Sequence, residues 1–345
     1  MSDNVSDEEQ QQQMEEVSIC ADVWLEVFAF VSPLQLGHLM ALISDRFDVM
    51  VDEHFKLRKW SLSWLEILRA FGGNCAEIVN SGEWLPIPQG PLPTKVIGFR
   101  VIYISYVDQN VIEFLQRIRR LFDSSAPTVA IYTSINQSRS WEIIRQKIWP
   151  LINNNICRLR LDNSQLHRLQ QFSPTILRNC AKLRSIVSFG LFPAFPAEDN
   201  AEASSRQAVA KWLLTPREDG LPKTLHCDFY SAGMEGLKEA FVNASEPANF
   251  IIKFWFDEED DHLVPFELKN NLTAERLTLR QLNEYVWLLV RCPIAREEAK
   301  WAKWEEEVIR WDWFRQWNCI LINFYGSDGD GMLDENDEGP SEPKK

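Results

Sequence analysis

Residues able to bind a metal or attack a substrate are present but poorly spaced for either task. Asp328-Gly-Asp-Gly-Met-Leu-Asp-Glu335 has the acids of a calcium loop. Aligning Gly331 with the loop's invariant glycine puts Asp328 and Asp330 on ligand positions, but it puts Gly326 on the first and Asp337 where a bidentate glutamate is needed. A solvated acidic tail is the better expectation. The five histidines, His38, His54, His167, His226 and His262, form no pair four residues apart and have no cysteine at ligand spacing. His226 and Cys227 are neighbours on an expected strand, so they point to opposite faces and cannot work as base and nucleophile. Asp257-Glu-Glu-Asp-Asp261 reads as a solvated charge run. Glycine-rich phosphate loops and the Gly-x-Ser-x-Gly elbow are missing from the sequence. The expectation is a non-catalytic protein with no metal and no cofactor.

The 7 cysteines are odd in number and widely spaced, which suits reduced thiols of the cytoplasm or nucleus. No apolar run approaches the length of a bilayer span, and the acidic, Gln-rich start is unlike a signal peptide. The net charge of −14 is concentrated at the ends. Residues 1–18 carry six acids and no base, and residues 327–345 carry seven acids and two lysines. Between them, residues 95–184 sum to +9 and residues 185–326 to −8. A basic stretch offset by an acidic one argues against nucleic acid as a partner.

The elements follow from apolar spacing. Residues 1–18 have nothing to bury and are expected to be a disordered tail. Ile19, Val23 and Val27 recur every four residues beside Trp24, Phe28 and Val31, giving one short helix with a wide apolar stripe. Ser32-Pro33-Leu34-Gln35 reads as a capping box opening a second helix with Leu36, Leu39, Met40 and Ile43 on its face. Phe47, Val51 and Phe55 mark a third, and Trp60, Trp64, Ile67 and Leu68 extend the helical pattern to about residue 70. Prolines 86, 88, 91 and 93 then suggest a linker over 71–95 and a domain boundary.

Beyond the prolines, short apolar runs alternate with amphipathic helices. Strands are expected within 96–106, 128–135, 156–161, 184–189, 224–230, 249–256, 285–291 and 318–325. The first four start at near-constant intervals, which suggests an irregular leucine-rich-repeat-like α/β domain over 96–325. An ordinary parallel sheet covered on both faces is the alternative. Trp301, Trp304, Val308 and Trp311 make a Trp-rich C-terminal helix expected to cap the last strands, and residues 326–345 read as a disordered acidic tail.

Ile19-Cys-Ala-Asp-Val-Trp-Leu-Glu-Val-Phe-Ala-Phe-Val31, Ser32-Pro-Leu-Gln-Leu36 and Ala41-Leu-Ile-Ser-Asp-Arg-Phe47 together resemble an F-box. Asp22, Val23, Leu25, Val27, Phe28, Val31, Pro33, Leu36, Ile43, Arg46 and Phe47 fit that pattern by position. Cys20 replaces its proline and Ser44 its cysteine. Arg58–Ile67, Lys211–Gly220, Phe266–Thr273 and Leu289–Ile294 look like segments of a large group of nematode F-box proteins, so the resemblance covers most of residues 19–325. It implies a three-helix F-box module and a linker helix over 19–70, the module binding a Skp-type adaptor and, through it, a cullin. The adaptor-binding residues would be Ile19, Cys20, Val23, Trp24, Val27, Phe28, Pro33, Leu36 and Phe47. It also implies a C-terminal domain that presents an unknown substrate protein for ubiquitin transfer. Physically, a small bundle with a stripe wider than its own core requires can bury the excess against a partner helix. The alternatives are that these residues pack only within the chain, or that the protein is a binding scaffold without ligase function.

Overall fold

The computed structural model describes residues 19–324 apart from 32–35, 37–39, 41–42, 58, 74, 81, 93, 257–262 and 313–314. Pro33, the Asp257–Asp261 run, the Asp328–Glu335 loop and both acidic tails lie outside the described residues. The chain divides into two compact units, Met1–Trp60 and Ser61–Lys345.

In the first unit, α1 (Ala21–Phe28) and α2 (Asp45–Leu57) close on a small core of Phe28, Leu36, Met50 and Val51. Much of the segment expected to form the middle helix lies outside the described residues.

The second unit is mixed α/β, built on a 13-stranded sheet. It begins with an antiparallel meander of β1 (Trp60–Arg69), β2 (Ala76–Asn80) and β3 (Glu83–Pro86). This corrects two expectations. Residues 60–69 are a strand, not a helix, because a spacing of four places residues on one face of either element. Leu65 and Ile67 are buried while Trp64 is exposed, the period-two signature of a strand. The prolines do not separate the units either. Residues 76–86 form the hairpin, and Pro86 closes β3 at the sheet edge, where a missing N–H costs no ladder bond.

The remaining strands are β4 (Val96–Ile104), β5 (Thr128–Ile131), β6 (Arg158–Arg160), β7 (Ser185–Val187), β8 (Lys223–Asp228), β9 (Phe250–Trp255), β10 (Phe266–Asn270), β11 (Glu275–Gln281), β12 (Val286–Pro293) and β13 (Cys319–Ile322). Strands β5 to β9 lie side by side, parallel and in chain order, as stacked repeats would. The stack does not extend to β4, because β13 returns from the far end of the chain and pairs in parallel with both β4 and β5. At the other end β12, β11 and β10 finish the sheet in antiparallel fashion. The interior strand β13 reads as an unbroken apolar run, Cys-Ile-Leu-Ile, because both its faces are covered.

Between the parallel strands lie α3 (Gln109–Arg117), α4 (Arg119–Ser125), α5 (Ser138–Ile143), α6 (Trp149–Ile152), α7 (Asn163–Gln170), α8 (Ile176–Asn179), α9 (Ser205–Leu214) and α10 (Ser231–Val242). Asp162 and Ser204 start α7 and α9 with full capping boxes. Gly233 of α10 has no room for a side chain: a Cβ there would lie 2.6 Å from both the Phe192 ring and the Pro193 carbonyl. The last helix, α11 (Glu298–Arg310), presses Trp301 and Val308 onto Ile251, Leu288, Val290 and Cys292, the cap expected of it, and ends at Arg310, one residue short of Trp311.

Candidate functional site

The first helix must satisfy two demands with one apolar stripe, and the structure separates them. Phe28 is fully buried, and Trp24 and Phe47 pack on the same core, their rings edge to face at 4.8 Å. Leu36 is buried as well. These four residues hold the unit together, so Phe28 and Leu36 have no surface to offer an adaptor. Pro33 lies outside the described residues.

Ile19, Val23 and Val27 turn outward. They are 38%, 47% and 41% exposed; Val23 and Val27, four apart, share one face of α1, while Ile19 and the exposed N-cap Cys20 lie just ahead of its first residue. Phe30, two residues past the end of α1, is 90% exposed. Helical spacing does not mark Phe30, because it lies beyond the helix, and sequence reasoning passed over it. Val49 on α2 is exposed too and was also passed over.

Cys20 is the N-cap of α1 and makes no side-chain cap bond. The start of the helix is held from outside instead, by Arg46 donating Nη2 to the Ile19 carbonyl at 2.7 Å. A guanidinium on that carbonyl fixes the chain entering α1 where a proline would otherwise restrict it.

Groups of three or more His, Cys, Asp or Glu able to hold a metal are absent among the described residues. Burial pushes the Cys180 thiol up to about 12 and Cys319 up to about 11, and raises Cys227 well above its ordinary value. None of them carries thiolate at neutral pH, so none is a ready nucleophile. Lys223 is a buried amine. Burial, with Arg217 adding, pushes it down to about 7. Its Nζ donates to the Trp212 and Thr215 carbonyls, so it satisfies the C-terminal end of α9 from strand β8. That structural task occupies the amine.

Comparison of the chain with protein-family models, with curated proteins and with solved structures finds no match.

Proposed function

We propose that the chain is an F-box-type substrate receptor of a cullin–RING ubiquitin ligase. Its first unit binds a Skp-type adaptor through the outer row of α1, and its second unit presents a target protein. The observation that supports this reading is the row of Val23 and Val27 on α1, with Ile19 and Cys20 just ahead of the helix, left exposed after Phe28 and Trp24 have closed the core. A partner helix laid along such a row buries side chains at helical spacing, the usual helix-in-groove arrangement.

The test replaces Val23 and Val27 together with aspartate in the full chain and titrates it with purified adaptor. Phe28 is unsuited to the test, since a charge there would unfold the unit. Losing two apolar contacts and desolvating two carboxylates should weaken binding by roughly a hundredfold or more, about 3 kcal/mol. Far-ultraviolet circular dichroism should not change. Unaltered affinity in the double variant would remove the ligase reading.

A further inference from the structure

Parallel strands present ligand sites beyond their carboxyl ends, and here those ends carry exposed rings. Phe189 follows β7 at 58% exposure, and Tyr230 follows β8 at 43%. The ladder runs on past the strands: Ser188 donates to the His226 carbonyl at 2.8 Å, and Phe229 to that of Trp255 at 2.8 Å. These bonds fix the backbone on which both rings stand.

Arg206 of α9 joins them. Its guanidinium carbon lies 4.4 Å from the Tyr230 ring centroid, and its Nε donates to the Gly190 carbonyl at 3.0 Å. Its terminal nitrogens have no partner among the described residues. The neighbouring acid, Asp228, accepts from the Gly190 N–H at 3.2 Å. Phe229 and Ser231, on either side of Tyr230 in the chain, line a cavity of about 600 Å³ at the start of α10, walled further by Met234, Val264 and Phe266 and by the paired Glu235 and Lys238. Exposed rings taken singly need no explanation. An oriented guanidinium and a largely apolar cavity, held by consecutive residues of the chain, form a two-point site.

We propose that this rim docks an extended peptide segment of a second protein. A bulky aliphatic or aromatic side chain fills the cavity beside α10, and one carboxylate, a few residues away, pairs with Arg206. The stacked guanidinium is already oriented and offers its outer nitrogens to a carboxylate in the bidentate manner. Asp228, which shares Gly190 with Arg206, and Glu235 in the cavity wall oppose a polyanion, so a single carboxylate among apolar residues is favoured over a nucleic acid. This goes beyond the adaptor reading and fails separately from it, because the assay contains no adaptor.

The experiment selects a phage-displayed library of random linear dodecapeptides on the full chain, then measures enriched synthetic peptides by fluorescence anisotropy. Enriched sequences should combine Leu, Ile, Met or Phe with one Asp or Glu within about four residues. Arg206→Gln and the cavity-blocking Ala232→Trp should each weaken them by roughly tenfold or more. Phe71→Ala, at a fully exposed position elsewhere in the same unit, should leave them unchanged. Circular dichroism confirms that each variant is folded. The proposal is overturned if no sequence is enriched, if enriched sequences lack an acid, or if neither rim variant lowers affinity. Tighter capture of single-stranded oligonucleotides than of any peptide would also overturn it.

Discussion

His226 and Cys227 are adjacent on β8, and burial acts on them in opposite directions: it raises the thiol and lowers the imidazole, because each is driven toward its neutral form. Desolvation, with Lys253 and Arg158 adding repulsion, pushes His226 down to about 3, and its ring sits 5.0 Å from that of Trp311. The unfolded chain takes up a proton below about 6.5 and the folded chain does not. Stability is therefore complete above that value and is lost as pH falls toward the folded value. One proton gives a slope of about 1.4 kcal/mol per pH unit, so acidification from about pH 7 to about pH 5 should cost roughly 2 kcal/mol through this residue. Urea denaturation at the two pH values should show that loss in the native chain and its absence in His226→Leu. Equal losses would mean that the imidazole is protonated inside the fold. The two-faced reading of α1 illustrates what a sequence can give at this scale. Spacing identified the stripe from Ile19 to Val31, but spacing alone could not say which rows turn inward. Phe28 and Val27 are consecutive and equally apolar. Only the ring contacts of Phe28 with Phe47 and His54, at 6.3 and 5.8 Å, assign it to the core and leave Val27 outside.

Elements are joined by side chains that serve two of them at once. Asp108 caps α3 by accepting from the Val111 N–H at 2.9 Å, and its other oxygen accepts from the Ala76 N–H at 2.8 Å, at the first residue of β2. Asp108→Ala removes a cap, about 1 kcal/mol, and orphans a strand N–H, about 1–3 kcal/mol, for a loss of roughly 2–4 kcal/mol. Asp108→Asn keeps an acceptor and should recover about half. Chemical denaturation of both variants checks this, and equal losses would show that the charge, not the hydrogen bonds, holds β2 to α3. The interior parallel strands were legible because each is a short apolar run between helices. The flanking antiparallel strands were not: β1 carries apolar residues four apart that fit a helix equally well, and the polar residues of β2, β3, β10 and β11 look like loop. A second local departure lies in the helical stretch from α5 to α6. There the Trp149 N–H reaches back five residues to the Ile144 carbonyl, a π turn over Ile144–Ile148 just ahead of Pro150. A proline inside a helix removes a donor and crowds the carbonyl four residues earlier, and the wider turn accommodates it.

In the second unit the strand order keeps much of the chain order: the basic block 95–184 supplies β4, β5 and β6, and the acidic block supplies β7 to β12 beside them and β13, which inserts between β4 and β5. The two blocks are partly neutralised: Glu307 of α11 reaches across to Arg158 and Arg184 at 3.1 and 3.2 Å, and Asp199 pairs with Arg178. The acidic end also holds a fully enclosed pair, Arg291 with Glu275, whose second oxygen accepts from the Ala248 N–H at 2.8 Å. Among the described residues of the first unit no ion pair is enclosed in this way. The core its described residues form, Phe28, Leu36, Met50 and Val51, is small. Such a core opens locally at low cost, and a partner that binds only the folded form stabilises it in proportion to its occupancy. Hydrogen exchange on the full chain should therefore show amides of α1 and α2 exchanging far faster than those of β5, β8 and β9. Saturating adaptor at about a hundred times its Kd should slow α1 and α2 by roughly a hundredfold, about 2.7 kcal/mol, and leave the sheet as it was. If α1 is as protected as the sheet before any partner is added, the module needs no partner to complete it. Its outer row would then be ordinary surface, and the physical case for an adaptor would fall with it.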